Sequence, residues 1–419
     1  MTYDPDRLRA DFPALQQAPR GGSRLVYLDW AATAQRPQAV MAAEVEFTEQ
    51  AYGAVNRGTH LLADRATEAF EAARTQVASY LGAEAHNLVW TSGATAALNM
   101  VAGGLGLAAA GWRGSKWLRL GPGDEIAVTR AEHHANLVPW QELAARTGAR
   151  LTWLELDAQG RIDLASLPVI NSRTKVVACT HASNVTGALT PVAEIVAAAR
   201  QVGAVTVLDA CQSAAHGQLD LPALGVDFAA VSAHKMCGPT GIGALYGRAE
   251  MLAQLPPTLT GGSMVTTVTM EKAEFHAAPA GLEAGTQPVT QAVAWAAAVK
   301  YLRALGSAAL QRHSAEMTEL LLAAVRRVPH VRLLGPDQPD HRLPIVAFAV
   351  DGVHPHDVGQ FLDSQGVAVR VGHHCAQPLH AHFGVKSSSR ASAGPVTTRA
   401  DIEVFAQALA QVRSFFGVQ

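Results

Sequence analysis

A handful of short stretches carry residues whose types and spacing could do chemistry. RVGHHCAQP (370–378) puts an arginine, two histidines and a cysteine within six positions, ahead of a proline. By itself its thiol, Cys375, reads as a packed core residue, a metal ligand or a nucleophile. TSGAT (91–95) ends an apolar run and opens a helical one, placing hydroxyls and backbone N–H groups where an anion can be cradled. EHHAN (132–136) follows a second run, and Asp209 and Gln212 end a third in LDACQS. Ser232, His234 and Lys235 close a fourth in VSAHK, before the turn-forming GPTGIG. Singly, these are caps, turns and solvated side chains. Together, a phosphate cradle, an aspartate and a lysine 26 positions later are what pyridoxal phosphate chemistry requires. The lysine attaches to the aldehyde, the aspartate keeps the pyridine nitrogen protonated, and a flat residue such as histidine covers the ring. A dinucleotide site is the alternative. However, no G-x-G-x-x-G follows an early strand, and no G-x-x-x-x-G-K-[ST] is present.

Something must position those residues, and 419 residues are too many for one ordinary core. With 49% hydrophobic and 16% charged residues, the chain is expected to bury a large interior. A formal charge of −2 gives no electrostatic reason to expect nucleic acid or anionic membrane as a partner. MTYDPDRLRADFPALQ lacks the basic-then-apolar layout of a signal peptide, and no apolar stretch reaches the roughly 20 residues of a membrane helix. Cys179, Cys211, Cys237 and Cys375 form no C-x-x-C pair, so neither a disulfide framework nor a zinc knuckle is expected. A reduced, cytoplasmic setting and no metal follow as expectations.

Seven strands are predicted at 88–93, 125–130, 150–156, 175–181, 204–210, 228–234 and 242–247. Several are continuous apolar runs, as strands covered on both faces are. Helical patterns lie between many of them. Phe70, Ala73, Val77 and Tyr80 recur at helical spacing before Gly82. In TPVAEIVAAARQVG, Thr190 reads as the N-cap, Pro191 as the first helical residue and Gly203 as the stop. Alternating strands and helices predict an α/β fold with a mostly parallel seven-stranded sheet wrapped by helices. AVAWAAAV reads as a buried Ala-rich helix. Beyond about 295 the pattern changes to a long helix, a strand LPIVAFAV, a helix in HPHDVGQFLDSQG, a short strand VAVRV and a last helix striped by Ile402, Phe405, Leu409, Val412 and Phe416. We therefore expect a large domain over 26–295. A smaller α+β domain is expected over 296–419 with an N-terminal arm, 1–25, and it carries the Cys375 loop.

The segments YLDWAATAQRP, NRGTH, EHHANLVPWQ, SNVTGAL, LDACQS, VSAHKMCGPTGIG, EAGTQP, RVGHHCAQP and RAS resemble, in unbroken order, the fold-type I, class V pyridoxal-phosphate enzymes. More narrowly they resemble the group II, SUF-type cysteine desulfurases. The resemblance implies that Lys235 carries the cofactor and later moves protons. It implies that Asp209 pairs with the pyridine nitrogen, that Gln212 reaches the phenolic oxygen and that His133 stacks on the ring. Thr95, Ser232 and His234 are implied as phosphate ligands. Thr286 is implied to reach the phosphate of a second subunit, hence a homodimer. Asn184 and Arg390 are implied to hold the substrate α-carboxylate, with Arg370 and His60 nearby. Cys375 becomes the nucleophile, its thiolate favoured by cationic surroundings from His373, His374 and Arg370.

The implied activity converts L-cysteine to L-alanine, leaving sulfur on Cys375 as a persulfide. A thiol acceptor, protein or small molecule, then collects it for iron–sulfur cluster assembly or related sulfur metabolism. The alternatives are a selenocysteine lyase or cysteine sulfinate desulfinase, and a class V aminotransferase or β-lyase that does not use Cys375. The other three cysteines read as structural. The chain departs from the family pattern at Ala96, at Trp30, at GTQPV and after RAS, where AGPVTT stands. About ten extra residues also fall in the Gly/Ala/Trp-rich stretch 103–123.

Overall fold

The computed structural model describes residues 3–20, 24–56, 58–114 and 118–418. Fifteen strands are present among them. β1 is Val26–Tyr27, and seven strands build the main sheet: β2 Leu88–Thr91, β3 Glu125–Thr129, β4 Arg150–Leu154, β5 Thr174–Thr180, β6 Val205–Asp209, β7 Phe228–Ser232 and β8 Gly243–Gly247. Each falls within or beside a predicted run. Their spatial order is β2-β8-β7-β6-β5-β3-β4. The four pairs from β7 to β4 are parallel; β8 runs antiparallel to both β7 and β2. Two reversals cancel, so β2 points the same way as β7. The carboxyl ends of β2, β3, β5, β6 and β7 therefore share one edge, where open α/β sheets place their ligands.

Side chains alternate across the strands. Phe228 and Ala230 pack into the core on one face, with Leu98, Trp140 and Leu143. Ala229 and Val231 pack into the other, with Phe70, Val77, Trp90 and Trp295. Helices cover both faces, and the Ala-rich segment is the buried helix Val289–Leu305 against Leu61–Tyr80 and Gln38–Gln50. The change of pattern expected near 295 falls inside that helix. β9 (Val265–Val268) and β10 (Ala273–Phe275) form a separate hairpin.

The smaller sheet is antiparallel, in the order β11 (Val331–Leu334), β12 (Ile345–Val350), β15 (Ser388–Ser392), β14 (Arg370–Gly372). Helices Ser307–Arg326, Pro355–Ser364 and Arg399–Phe415 bury their apolar stripes against its core. VAVRV is not one strand. Its first half, β13 (Val367–Ala368), pairs with β1 of the N-terminal segment, and its second half, β14, turns to β15. No helix among the described residues is long and apolar enough to cross a membrane.

Three local readings need correction. Thr190 is not an N-cap: its N–H is held by the His181 carbonyl at 3.0 Å in an extended segment, so the helix begins at Val192 with Pro191 at the cap. Gly203 does end it, at φ +71°. Phe416 drops out of the final stripe, because the helix stops at Phe415 and leaves Phe416 40% exposed. Residues 103–109 are not loop. They extend the helix Ala94–Ala109, where Gly103 and Gly104 admit Thr258 and Leu255, each closer than 3 Å to any added Cβ. Of the rest of that stretch, 115–117 lie outside the described residues, as does position 57 of NRGTH.

Two departures from the family pattern explain each other. Trp30 is buried, edge-on to Phe12 and Tyr27. Its indole lies over Gly394, where a Cβ would collide with the ring. Gly394→Ala is therefore expected to cost about 1–3 kcal/mol, the range for overpacking. Chemical denaturation would check this, and a loss below ~0.5 kcal/mol, ordinary for an uncrowded site, would refute the crowding.

Candidate active site

Each parallel strand that reaches the shared edge delivers a polar group. β2 turns through Gly93 into the helix Ala94–Ala109, whose N-terminus has no side-chain cap. The Ala94 N–H donates to Ser232 Oγ at 2.8 Å, while Thr95 lines the cavity. β6 ends at Asp209, a buried carboxylate whose Oδ1 accepts the Cys211 N–H at 3.0 Å. β7 ends at Ser232 and leads through a single turn to His234 and Lys235. These residues, with His133, Gln212, Asn184, Arg370, His374, Cys375 and Arg390, line one cavity of about 170 Å³.

Hydrogen bonds determine which way several of these groups face. His133 Nδ1 accepts the Ala135 N–H at 3.0 Å, so its neutral ring carries hydrogen on Nε2. Burial pushes its pKa down to about 4, with Asp209 opposing, which keeps the ring neutral near neutral pH. His234 meets the Thr33 hydroxyl through Nδ1 at 3.1 Å, leaving Nε2 free; burial and Lys235 lower its pKa to about 4. Burial also lowers the Lys235 pKa, with Cys211 and Asp209 opposing and Arg390 and Arg370 assisting. Gln212 donates to the Ala31 carbonyl at 3.0 Å.

The smaller sheet supplies the opposite wall. Arg390 is 1% exposed; it donates to the Asn184 carbonyl at 2.8 Å and to Asp29 Oδ1 at 3.0 Å, and its Nε has no partner among the described residues. Burial lowers its pKa to about 10, against the pull of Asp29, so it stays cationic. The Cys375 loop is a tight turn, closed by Ala376 N–H to the His373 carbonyl at 2.9 Å. Both central residues, His374 and Cys375, are left-handed, at φ +49° and +55°. Such non-glycine residues cost about 1–3 kcal/mol each and persist only where neighbours hold them. Here the neighbours are specific. His134 N–H donates to the Cys375 carbonyl at 2.7 Å, the Asn184 amide to the His374 carbonyl at 2.7 Å, and Cys375 N–H to His373 Nδ1 at 3.2 Å.

The aminotransferase class-V family model matches residues 26–405. A probable cysteine desulfurase 2 of Mycobacterium leprae is 49% identical over 415 residues, covering 99% of this chain and 98% of that protein. Among solved structures, the cysteine desulfurase CsdA of Escherichia coli, in an S-sulfonic acid form, is 38% identical with TM-score 0.88, covering 99% and 100% of the two chains. An apo cysteine desulfurase of Thermococcus onnurineus is 32% identical with TM-score 0.91, covering 98% of each.

The chain belongs to the class-V aminotransferase family.

Its fold is that of the pyridoxal-phosphate enzymes of fold type I, and the residues of the cavity fit that cofactor. A helix N-terminus whose N-cap, Gly93, brings no side chain, beside Thr95 and Ser232, suits a phosphate. Asp209 is a buried carboxylate with no cation in contact among the described residues, as a partner for a protonated ring nitrogen should be. Lys235 is a desolvated amine, and His133 a neutral flat ring. Among the described residues no cluster of His, Cys, Asp or Glu could hold a metal ion.

Two expected site residues do not reach this cavity within one chain. His60 is exposed and caps the helix Leu61–Tyr80, its Nδ1 accepting the Ala63 N–H. Thr286 lines a separate cavity with Tyr52, Gly53 and Val55. One electrostatic expectation is overturned. His374 is 3% exposed, and burial together with Arg390 pushes its pKa down to about 2, so it adds no positive charge beside Cys375. Cys211 also differs from its reading as purely structural: it lies in the cavity wall, although burial and Asp209 hold it as a thiol.

Several contributors were not singled out from sequence. Asp29 orients Arg390. Glu132 is buried between β3 and β5, bonded to Thr129, Asn136 and the Thr180 N–H, with burial raising its pKa to about 8. Ser392 Oγ accepts the Ala31 N–H at 2.9 Å, joining the cavity's backbone rim to β15. The signal for the last was legible in SSRAS, where Ser388, Arg390 and Ser392 put polar side chains at alternate positions, hence on one face of a strand.

Proposed function

We propose that this chain is a cysteine desulfurase that takes the sulfur of L-cysteine onto Cys375. The carrying observation is that one cavity holds Lys235, Asp209 and Arg390, with Cys375 presented to it on a strained, four-point-stapled turn. In the balanced reaction the substrate C–S bond breaks, an S–S bond forms on Cys375, and L-alanine leaves; a thiol acceptor then removes the bound sulfur.

When bound, pyridoxal phosphate supplies an aldehyde to hold an amino group and a ring that accepts electrons. The chain's own residues do the rest. Thr95, Ser232 and His234 would hold the phosphate, Gln212 the phenolic oxygen, and Asp209 would keep a proton on the ring nitrogen. The neutral His133 would serve the ring without competing for that proton. Arg390 and Asn184 orient the substrate carboxylate, with Arg370 at the rim. Lys235, its amine favoured in the neutral form by burial, takes the proton at Cα and returns one to the product. The Cys375 thiol reaches the substrate sulfur from the opposite wall. Neither Thr286 nor His60 reaches this cavity within one chain, which supports a homodimer in which they serve the cavity of a second copy. Their own neighbourhood, with Tyr52 and Leu61 exposed, is consistent with that.

The test is alanine release from L-cysteine with reductant, comparing wild type with Cys375→Ala. Both proteins should keep the colour of the cofactor, and the variant should lose most of the alanine. Equal release would remove Cys375 from the reaction and favour the aminotransferase or lyase reading.

A further inference from the structure

The wiring beneath the Cys375 turn determines where the hydrogens sit on three side chains. His380 Nδ1 lies 3.0 Å from the Ala376 carbonyl, which can only accept, so Nδ1 carries a hydrogen. Burial disfavours a second proton on that ring, so Nε2 is a bare acceptor. It meets Ser388 Oγ at 3.0 Å, and the serine spends its one hydrogen there. The same oxygen lies 3.0 Å from His374 Nε2, which must therefore donate. The chain runs one way only, from His374 to Ser388 to His380 to the Ala376 carbonyl. Reversing it would set a bare His380 nitrogen against a carbonyl oxygen.

We infer that Ser388 and His380 are positioning residues for the Cys375 thiol, acting through His374; this rests on the reading of Cys375 above. The His374 ring is buried, and among the described residues its bond to Ser388 is its only side-chain hydrogen bond, since Nδ1 has no partner there. Without Ser388, that ring loses its side-chain anchor, one of the supports of the two adjacent left-handed residues beside the backbone bonds from His134 and Asn184. Ser388 is also two positions before Arg390 on β15, and alternate residues of a strand share a face. Across the ladder, Gly372 pairs with Ser388 and Arg370 with Arg390. The carboxylate anchor and the thiol turn thus stand on one rigid strand.

The test compares Ser388→Ala, Ser388→Thr and His380→Asn as holoenzymes. It measures kcat and KM for alanine release, the cofactor absorbance, and the rate at which iodoacetamide alkylates Cys375, read by mass spectrometry. Ser388→Ala should lower kcat by about 10–100-fold, the scale of an ångström misplacement, with KM within about twofold because Arg390 is untouched. Alkylation of Cys375 should rise as the turn loosens, while buried Cys179 and Cys237 stay unlabelled. Threonine should restore both values. His380→Asn keeps a donor for Ala376 but loses Ser388, and should move the same way even if Ser388→Ala fails to hold cofactor. An inactive Cys375→Ala together with unchanged Ser388→Ala and His380→Asn overturns this inference alone. Full alanine release by Cys375→Ala overturns the underlying reading and this one with it.

Discussion

Lys235→Ala removes alanine release from L-cysteine, with a loss of at least about 10²–10⁴-fold, the contribution of a positioned proton-transfer group. The lysine stands one turn beyond β7, in a wall whose burial lowers its pKa. Neither neighbouring ring stands in for the amine: the His133 Nδ1 is engaged with the Ala135 N–H, and His234, held at Nδ1 by Thr33, is assigned to the phosphate through its free Nε2. The variant should also fail to retain cofactor covalently: borohydride treatment should add the cofactor's mass to wild type and not to Lys235→Ala. A variant that kept both the mass addition and most of the activity would show that another amine serves this site.

Glu283→Ala is expected to destabilise the fold by about 3 kcal/mol, the low end of the range for breaking a buried ion pair. Arg74 and Glu283 form a two-pronged bridge at 2.6 and 2.9 Å, both side chains almost wholly buried. Arg74 also lies over the rings of Phe70 and Trp90, and Glu283 accepts the Trp90 N–H at 2.7 Å. Removing the carboxylate leaves a guanidinium in that core, relieved by the half-exposed Glu71 and the Leu88 carbonyl, which is why the low end applies. Replacing both partners by Arg74→Met and Glu283→Leu should recover much of the loss, since apolar substitutes for a buried pair are often neutral. Urea unfolding of the single and double variants checks this. A single variant within ~0.5 kcal/mol of wild type, ordinary for surface changes, would mean the pair is effectively solvated. Because Glu283 begins EAGTQP, the same change should loosen the segment that carries Thr286.

The strands were legible because burial on both faces leaves an unbroken apolar signature, as in β5 and β7, and because polar residues end them at one edge. That edge also made Asp209, Ser232 and Lys235 readable as a group. What escaped depends on distance in sequence. Asp29 and Arg390 are 361 positions apart, and nothing local marks either as the other's partner. His374 looked like a cation because its chain neighbours are polar; only the packing of β15 beneath it shows a neutral ring. Thr190 had the residue type of a cap but was already committed to an extended pairing. Phe416 kept helical spacing past the point where the helix had ended.

The contact between Trp30 and Gly394 means that the two positions do not respond independently to substitution. Trp30 facing any side chain at 394 forces an indole into occupied space, whereas a smaller residue at 30 leaves room for one. Changes at the two positions are therefore coupled, and their effects on stability do not add.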